Sequence, residues 1–167
     1  MMQRRKFLIW SSVLGFSPYL GAKNFNTFDK SFKHVEATIM AVQEHMLPKH
    51  SKIPDASSMQ LTQFLFETIT HKSFDKDIKM FVIEGAKKFQ KRENNLFINM
   101  NTIAKEKALR AYENTHYGSA WLSRILTLTM EGVFSDPIYG ANKQEAGWKA
   151  LHSYGGIPRP KTKYLES

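Results

Sequence analysis

The sequence predicts an all-α protein, with a single helical-bundle domain of about five helices followed by an irregular tail. Three observations support this fold class. Apolar residues recur at steps of three and four along most of the chain, which places them on one face of a helix. No run alternates apolar and polar residues clearly enough for a strand. After Phe134, glycines, prolines and aromatic residues are crowded into a segment too irregular for one helix.

The first helix is predicted to begin at Ser31, a plausible N-cap, and to stop before Pro48. The predicted helices span residues 31–47, 58–71, a third from Asp75 onward, 102–113 and 119–134. The residues expected to face the core are Phe32, Val35, Ile39, Val42, Met46, Met59, Phe64, Leu65, Ile69, Ile78, Phe81, Val82, Phe89, Trp121, Leu122, Ile125, Leu126, Met130 and Val133.

Composition restricts the chemistry of this chain. It has 167 residues and no cysteine, which excludes disulfides, cysteine-ligated iron–sulfur clusters, covalent c-type haem and a thiol nucleophile. The sequence contains no nucleophile elbow, phosphate loop or dinucleotide fingerprint. We therefore expect no cofactor in this chain, and catalysis by the chain alone is poorly supported.

Metal binding is also not predicted. A two-metal site in a helical bundle uses two Glu-x-x-His pairs, and Glu113 with His116 supplies only one. The nearest substitutes are Glu67 with His71 and the neighbours Glu44 and His45. The formal net charge is +9 and falls to +6 without residues 1–22, and the remaining lysines are scattered along helices. A solvated helix surface explains them, so nucleic acid is not an expected partner.

Residues 1–22 predict a twin-arginine export signal. Arg4 and Arg5 precede Phe7 and Leu8 at the spacing of that signal. The apolar run that follows has about 14 residues, short of the roughly 20 that span a bilayer. The alternative is an uncleaved anchor, because the small-residue exit is a poor cleavage site. The twin-arginine route exports folded proteins, and this chain has no cofactor motif, so we expect it to supply the address for a partner.

The segment "EGVFSDPIYGANKQEAGWKALHSYGGIP" resembles the signature of the gluconate 2-dehydrogenase subunit 3 family. The earlier segment "TIMAVQEHMLPKHSKIPDAS" is similar to the family's first helix and the loop after it. Ala141 stands where the family commonly has a second glycine, and Ser153 and Gly155 stand where Gly and Pro are commoner. The matching residues are Gly132, Phe134, Asp136, Pro137, Tyr139, Gly140, Asn142, Gly147, Trp148, Leu151, Tyr154, Gly156 and Pro158.

The resemblance implies a periplasmic, membrane-associated complex of three parts. A large subunit of the glucose–methanol–choline oxidoreductase type binds FAD and oxidises a sugar acid or sugar. A cytochrome c subunit carries haem and passes electrons onward. The small subunit holds no cofactor, accompanies the large subunit through the twin-arginine translocation machinery and stabilises it. The alternatives are a stand-alone periplasmic helical enzyme that uses Asp136 and Tyr139, or a ligand-binding bundle.

The chain is accordingly divided into the signal (residues 1–22), the helical bundle (23–134) and a partner-docking tail (135–167). Aromatic anchors and close backbone approach at glycines are typical of an interface. The other interpretation is that the tail caps its own bundle, and the two roles can coexist. The residues predicted to dock the partner are Phe134, Asp136, Pro137, Tyr139, Gly140, Asn142, Gly147, Trp148, Tyr154, Gly156 and Pro158.

Overall fold

The computed structural model describes residues 19–163, with side chains from Phe28 onward. These residues form six α-helices, linked by turns and short 3₁₀ segments, and contain no strand, which confirms the all-α prediction. The predicted signal residues Arg4, Arg5, Phe7 and Leu8 lie outside the described residues. The helices are α1 (Tyr19–Met46), α2 (Leu61–Thr70), α3 (Lys76–Arg92), α4 (Thr102–Glu113), α5 (His116–Phe134) and α6 (Ala146–Ala150).

Side-chain caps fix the start of α3, α4 and α5. Asp75 accepts hydrogen bonds from the first turn of α3, and Asn101 accepts one from the amide of Ala104 in α4 at 2.9 Å. Thr115 does the same for α5, so α5 begins before the predicted residue 119. Each cap satisfies an amide that has no partner inside its helix. The prediction of residues 102–113 is confirmed for α4.

The predicted start of the first helix is wrong. The structure describes α1 from Tyr19, so Ser31 lies inside the helix and is not its N-cap. The compact main body of the chain begins at Phe32. Apolar spacing therefore located the start of the packed body and not the start of the helix. Among the residues described here, no helix is both long and apolar enough to cross a bilayer.

Helix α5 is the centre of the body and packs against α2, α3, α4 and α6. Its inward stripe includes Trp121, Ile125 and Leu128, each almost fully buried. Leu126 was expected in the core but is 42% exposed. It follows Ile125 directly and therefore points about 100° away around the helix, beyond the stripe that its neighbours fill.

A buried polar group connects three helices inside this core. The side chain of Gln43 in α1 is fully buried, donates to Thr129 of α5 at 3.0 Å, and accepts from Thr62 of α2 at 2.7 Å. Both ends of the amide are satisfied, so its burial fixes the register of the helices without leaving an unpaired polar atom. An apolar pattern cannot reveal such a residue.

Candidate functional site

The tail leaves α5 through a turn built by Asp136 and Pro137. Asp136 is extended, and Pro137 opens a 3₁₀ turn in which Asp136 Oδ1 accepts from the amide of Ile138 at 3.0 Å. Pro fixes its own φ and keeps the preceding residue out of the helical region. The Asp-Pro pair in the sequence is typical of such a turn. The turn directs the chain back toward the bundle.

Asn142 holds the next segment against the end of α5. Its side chain is fully buried, donates to the carbonyl of Ser135 at 2.8 Å and accepts from the amide of Gly147 at 2.7 Å. A Cβ at Gly147 would lie 2.2 Å from the carbonyl oxygen of Val133, so only glycine permits this approach. These contacts explain both residues within the tail itself.

The loop between Pro137 and Asn142 packs into the core. Tyr139 lies half-buried against an apolar cluster that contains Leu61, Phe64 and Val133. Ala141 is fully buried in the same cluster. Its methyl group, where the resembling family commonly has glycine, thus adds apolar contact with the bundle.

Trp148 lies on the body of its own chain. It is 5% exposed, and its indole Nε1 donates to the carbonyl of Phe134 at 2.9 Å. The backbone of Gly155 passes so close that a Cβ there would lie 2.1 Å from Trp148 Cη2. The guanidinium of Arg159 lies over the indole, 4.6 Å from the ring centroid, in cation–π contact.

Arg159 closes the arrangement as an ionic clasp. It donates through Nε to Asp136 Oδ2 and through a terminal nitrogen to Glu145 Oε1 at 2.9 Å. The hydrogen bond from Arg159 lowers the pKa of Asp136, and the bonds to Asp136 and Glu145 raise the pKa of Arg159. Sequence reasoning did not select Arg159, because no local pattern links it to an acid more than twenty residues away.

A family model described as gluconate 2-dehydrogenase subunit 3 matches residues 33–156. The chain belongs to the gluconate 2-dehydrogenase subunit 3 family. Searches of curated proteins and of solved structures gave no match. Membership makes the chain a subunit of a multi-subunit dehydrogenase complex.

The residues predicted to dock the partner point in two directions. One set packs on the body of this subunit and includes Asn142, Gly147 and Trp148. The other faces solvent: Tyr154 is 80% exposed, and Pro158 is exposed too. Leu151 and Ile157, which were not selected as docking residues, are 47% and 91% exposed. The capping interpretation therefore describes the first set. For the residues that reach solvent, docking to the partner remains a prediction.

The candidate metal pairs are used in other ways. His45 pairs with Glu106 at 2.6 Å, and Glu113 pairs with Arg110 at 2.9 Å. The pKa of Glu106 is lowered mainly by the hydrogen bond from His45 and, second, by the hydrogen bond from Arg110. In the part of the chain that the structure describes, no three His, Asp or Glu side chains gather to hold a metal ion.

Two clefts lie beside this ion pair. One of about 750 Å³ is bordered by the end of α1 and the start of α4, and one of about 370 Å³ by α4 and α5. His45 and Glu106 line both. His45 and Glu106 hydrogen-bond each other, and Arg110 also pairs with Glu106, so these side chains, which both clefts share, already have partners.

Proposed function

We propose that this chain is the non-catalytic small subunit of a periplasmic, membrane-associated, FAD-dependent gluconate 2-dehydrogenase or related sugar or sugar-acid dehydrogenase. It supports twin-arginine export, assembly and stability of the catalytic flavoprotein subunit. Its partners are an FAD-binding large subunit of the glucose–methanol–choline type, a cytochrome c subunit with haem, and the twin-arginine translocation machinery. The observation that carries the proposal is the family match, which runs from α1 through α5 and into the tail as far as residue 156.

The contacts of Asp136 and Tyr139 favour an assembly role for the chain over a catalytic role as a stand-alone enzyme. A general base needs a pKa near the working pH and an accessible lone pair. Asp136 gives both carboxylate oxygens to the tail, and Arg159 lowers its pKa further below neutrality. Tyr139 is packed against the apolar cluster. These two side chains serve the shape of the tail, as a scaffold for assembly requires.

Replacing Arg4 and Arg5 together by Lys tests the export role. Lysine keeps the positive charge but lacks the guanidinium pair, so the variant isolates recognition from charge. We expect the chain and the flavoprotein to remain in the cytoplasm, measured as flavin-dependent dehydrogenase activity in periplasmic and cytoplasmic fractions. Lys6→Arg, a neighbouring change that leaves the pair intact, is the control. Normal periplasmic activity in the double variant would contradict the proposal.

Purification tests whether the cofactors are bound by the partner subunits and not by this chain. The tagged chain, taken from its native host, should bring down a polypeptide with bound FAD and one with covalent haem. The chain alone should be colourless. A stoichiometric flavin peak that stays with the isolated chain through gel filtration would favour the enzyme alternative.

A further inference from the structure

The residues from Tyr154 to Arg159, which we term the strap, pass directly over Trp148. Gly155 holds one end of the strap, where its backbone touches the indole edge. Arg159 holds the other end, over the indole face and between the carboxylates of Asp136 and Glu145. The strap is therefore fixed at two points on a buried side chain. A segment held in this way loses little conformational entropy when a partner covers it.

The apolar side chains of the strap face solvent. Tyr154 is 80% exposed and Ile157 is 91% exposed, the highest value for a large apolar side chain among the described residues. Leu151, shortly before the strap, is 47% exposed. Scattered apolar residues are normal on protein surfaces. Here they are neighbours on a segment whose backbone is held in place, which is the arrangement of an interface centre with aromatic and aliphatic anchors.

The charge around the strap indicates what covers it. From residue 146 to residue 163 the chain contains no acidic residue. Arg159 is matched by Asp136 and Glu145. Within the described residues Lys161 and Lys163 form no ion pair, so two positive charges follow the apolar anchors along the chain. A complementary surface has an apolar centre and carboxylates at its rim.

We propose that the strap is the contact by which this subunit holds the catalytic large subunit, whose facing surface is apolar at its centre and acidic at its rim. The assignment rests on the proposed function. It gives Trp148 a positioning role: the indole supports the strap from beneath, while Tyr154 and Ile157 touch the partner. A subunit family supplies a protein partner for the surface, and this favours a protein over a lipid occupant.

Matched substitutions test this assignment. Ile157→Ser removes the most exposed anchor, and Ile103→Ser removes an isoleucine of α4 that is 82% exposed. Lys161→Glu with Lys163→Glu reverses the charge beside the strap, and Lys105→Glu with Lys107→Glu makes the same change at the same spacing on α4. The replaced side chains are exposed or at the surface, so melting temperatures should stay near that of the wild type, which checks folding.

The measurement is the ratio of FAD to tagged chain in the complex purified from the native host, followed by dilution to obtain the affinity. Ile157→Ser and the Lys161→Glu, Lys163→Glu pair are the strap variants. We expect Ile157→Ser to bind the flavoprotein at least roughly 30-fold more weakly, the loss expected for an interface hot spot. The lysine pair, at the rim, should weaken binding by less and in a salt-dependent way. The α4 controls should match the wild type. Wild-type affinity in both strap variants would overturn the assignment. Equal losses of affinity in the strap variants and the α4 controls would overturn it too. Either result would leave the proposed function unaffected.

Two further outcomes are distinct from these. If the wild-type chain recovers no flavoprotein at all, the proposed function fails together with the inference. If the strap variants keep the complex but lose flotation with phosphatidylglycerol vesicles, compared with phosphatidylcholine vesicles, the occupant is an anionic membrane surface. That result overturns the assignment to the large subunit.

Discussion

Two tryptophans, Trp121 in the bundle and Trp148 in the tail, share three features: burial, an indole hydrogen bond and contact with a glycine. Their surroundings differ. Both are buried, at 0% and 5% exposure. Each donates its indole N–H to a backbone carbonyl, Trp121 to Val82 at 3.0 Å and Trp148 to Phe134 at 2.9 Å. Each is also touched by a glycine that leaves no room for a Cβ, namely Gly85 and Gly155.

Their remaining contacts differ. Trp121 lies among other rings, with Phe89 at 5.9 Å and Tyr112 at 5.8 Å between centroids. Trp148 is covered on one face by the guanidinium of Arg159. The first site is sealed by helices distant in sequence and by neighbouring aromatic rings. The second is sealed by a short neighbouring segment and an ionic clasp. The bundle core should therefore melt as one unit, and the tail should respond to local changes, salt and pH.

Trp121→Ala should have the largest effect. The change leaves a large cavity in the centre of the bundle and removes the hydrogen bond to Val82, so we expect a loss of about 3–5 kcal/mol in the free energy of unfolding. This corresponds to a fall of roughly 6–20 °C in melting temperature for a domain of this size. Thermal melts followed by circular dichroism measure it. A melt within a few degrees of the wild type would contradict the central role of α5.

Trp148→Ala should cost less, at the lower end of the same range, about 3 kcal/mol. The segment that covers Trp148 is a short loop that can collapse into part of the space. Melting and co-purification with the flavoprotein should be measured on the same preparation. If Trp148 supports the strap, both should fall together. Weaker association with an unchanged melt would mean that Trp148 contacts the partner directly.

The sequence predicted the bundle better than the tail, and the reason lies in the spacing of contacts. Helical periodicity repeats along α3 and α5, so residues such as Phe89 and Trp121 were placed in the core correctly. The family pattern identified Trp148 and Asn142, but a pattern of residue types does not say whether a side chain faces its own body or a partner. Arg159 was missed because its partners are distant in sequence, and it also lies beyond the matched residues 33–156.

Gly155→Ala tests how closely the strap depends on Trp148. A methyl group at this position would overlap the indole, so the strap must shift, with an expected cost of about 1–3 kcal/mol. The released strap should expose the Lys149–Ala150 bond to trypsin, detected by mass spectrometry of early fragments. Gly156→Ala is the comparison. A Cβ added at Gly156 would have no atom within 4 Å, so the only strain on alanine there comes from the positive φ of 80°. Equal cleavage rates in the two variants would contradict the role of the close approach.

The smallest effect is expected for Asp136→Asn, which tests the ionic clasp. Asparagine keeps an oxygen for the amide of Ile138 and loses only the charge that faces Arg159. The hydrogen bond from Arg159 lowers the pKa of Asp136 in the folded chain from the ordinary value of 3.8. The resulting stabilisation is fully present above pH 3.8 and is lost as the pH falls through the lowered value of the folded state.

The wild type should accordingly melt about 2 °C above Asp136→Asn near neutral pH, since exposed ion pairs contribute little. This difference should shrink below pH 3.8 and in high salt, which screens the pair. Arg159→Gln provides the second arm of a double-mutant cycle, because the combined variant should melt no lower than Arg159→Gln alone. A difference that persists unchanged at low pH, or additive losses in the double variant, would mean that Asp136 stabilises the tail through its turn and not through Arg159. The contrast between an ion-held tail and an apolar core would then no longer stand.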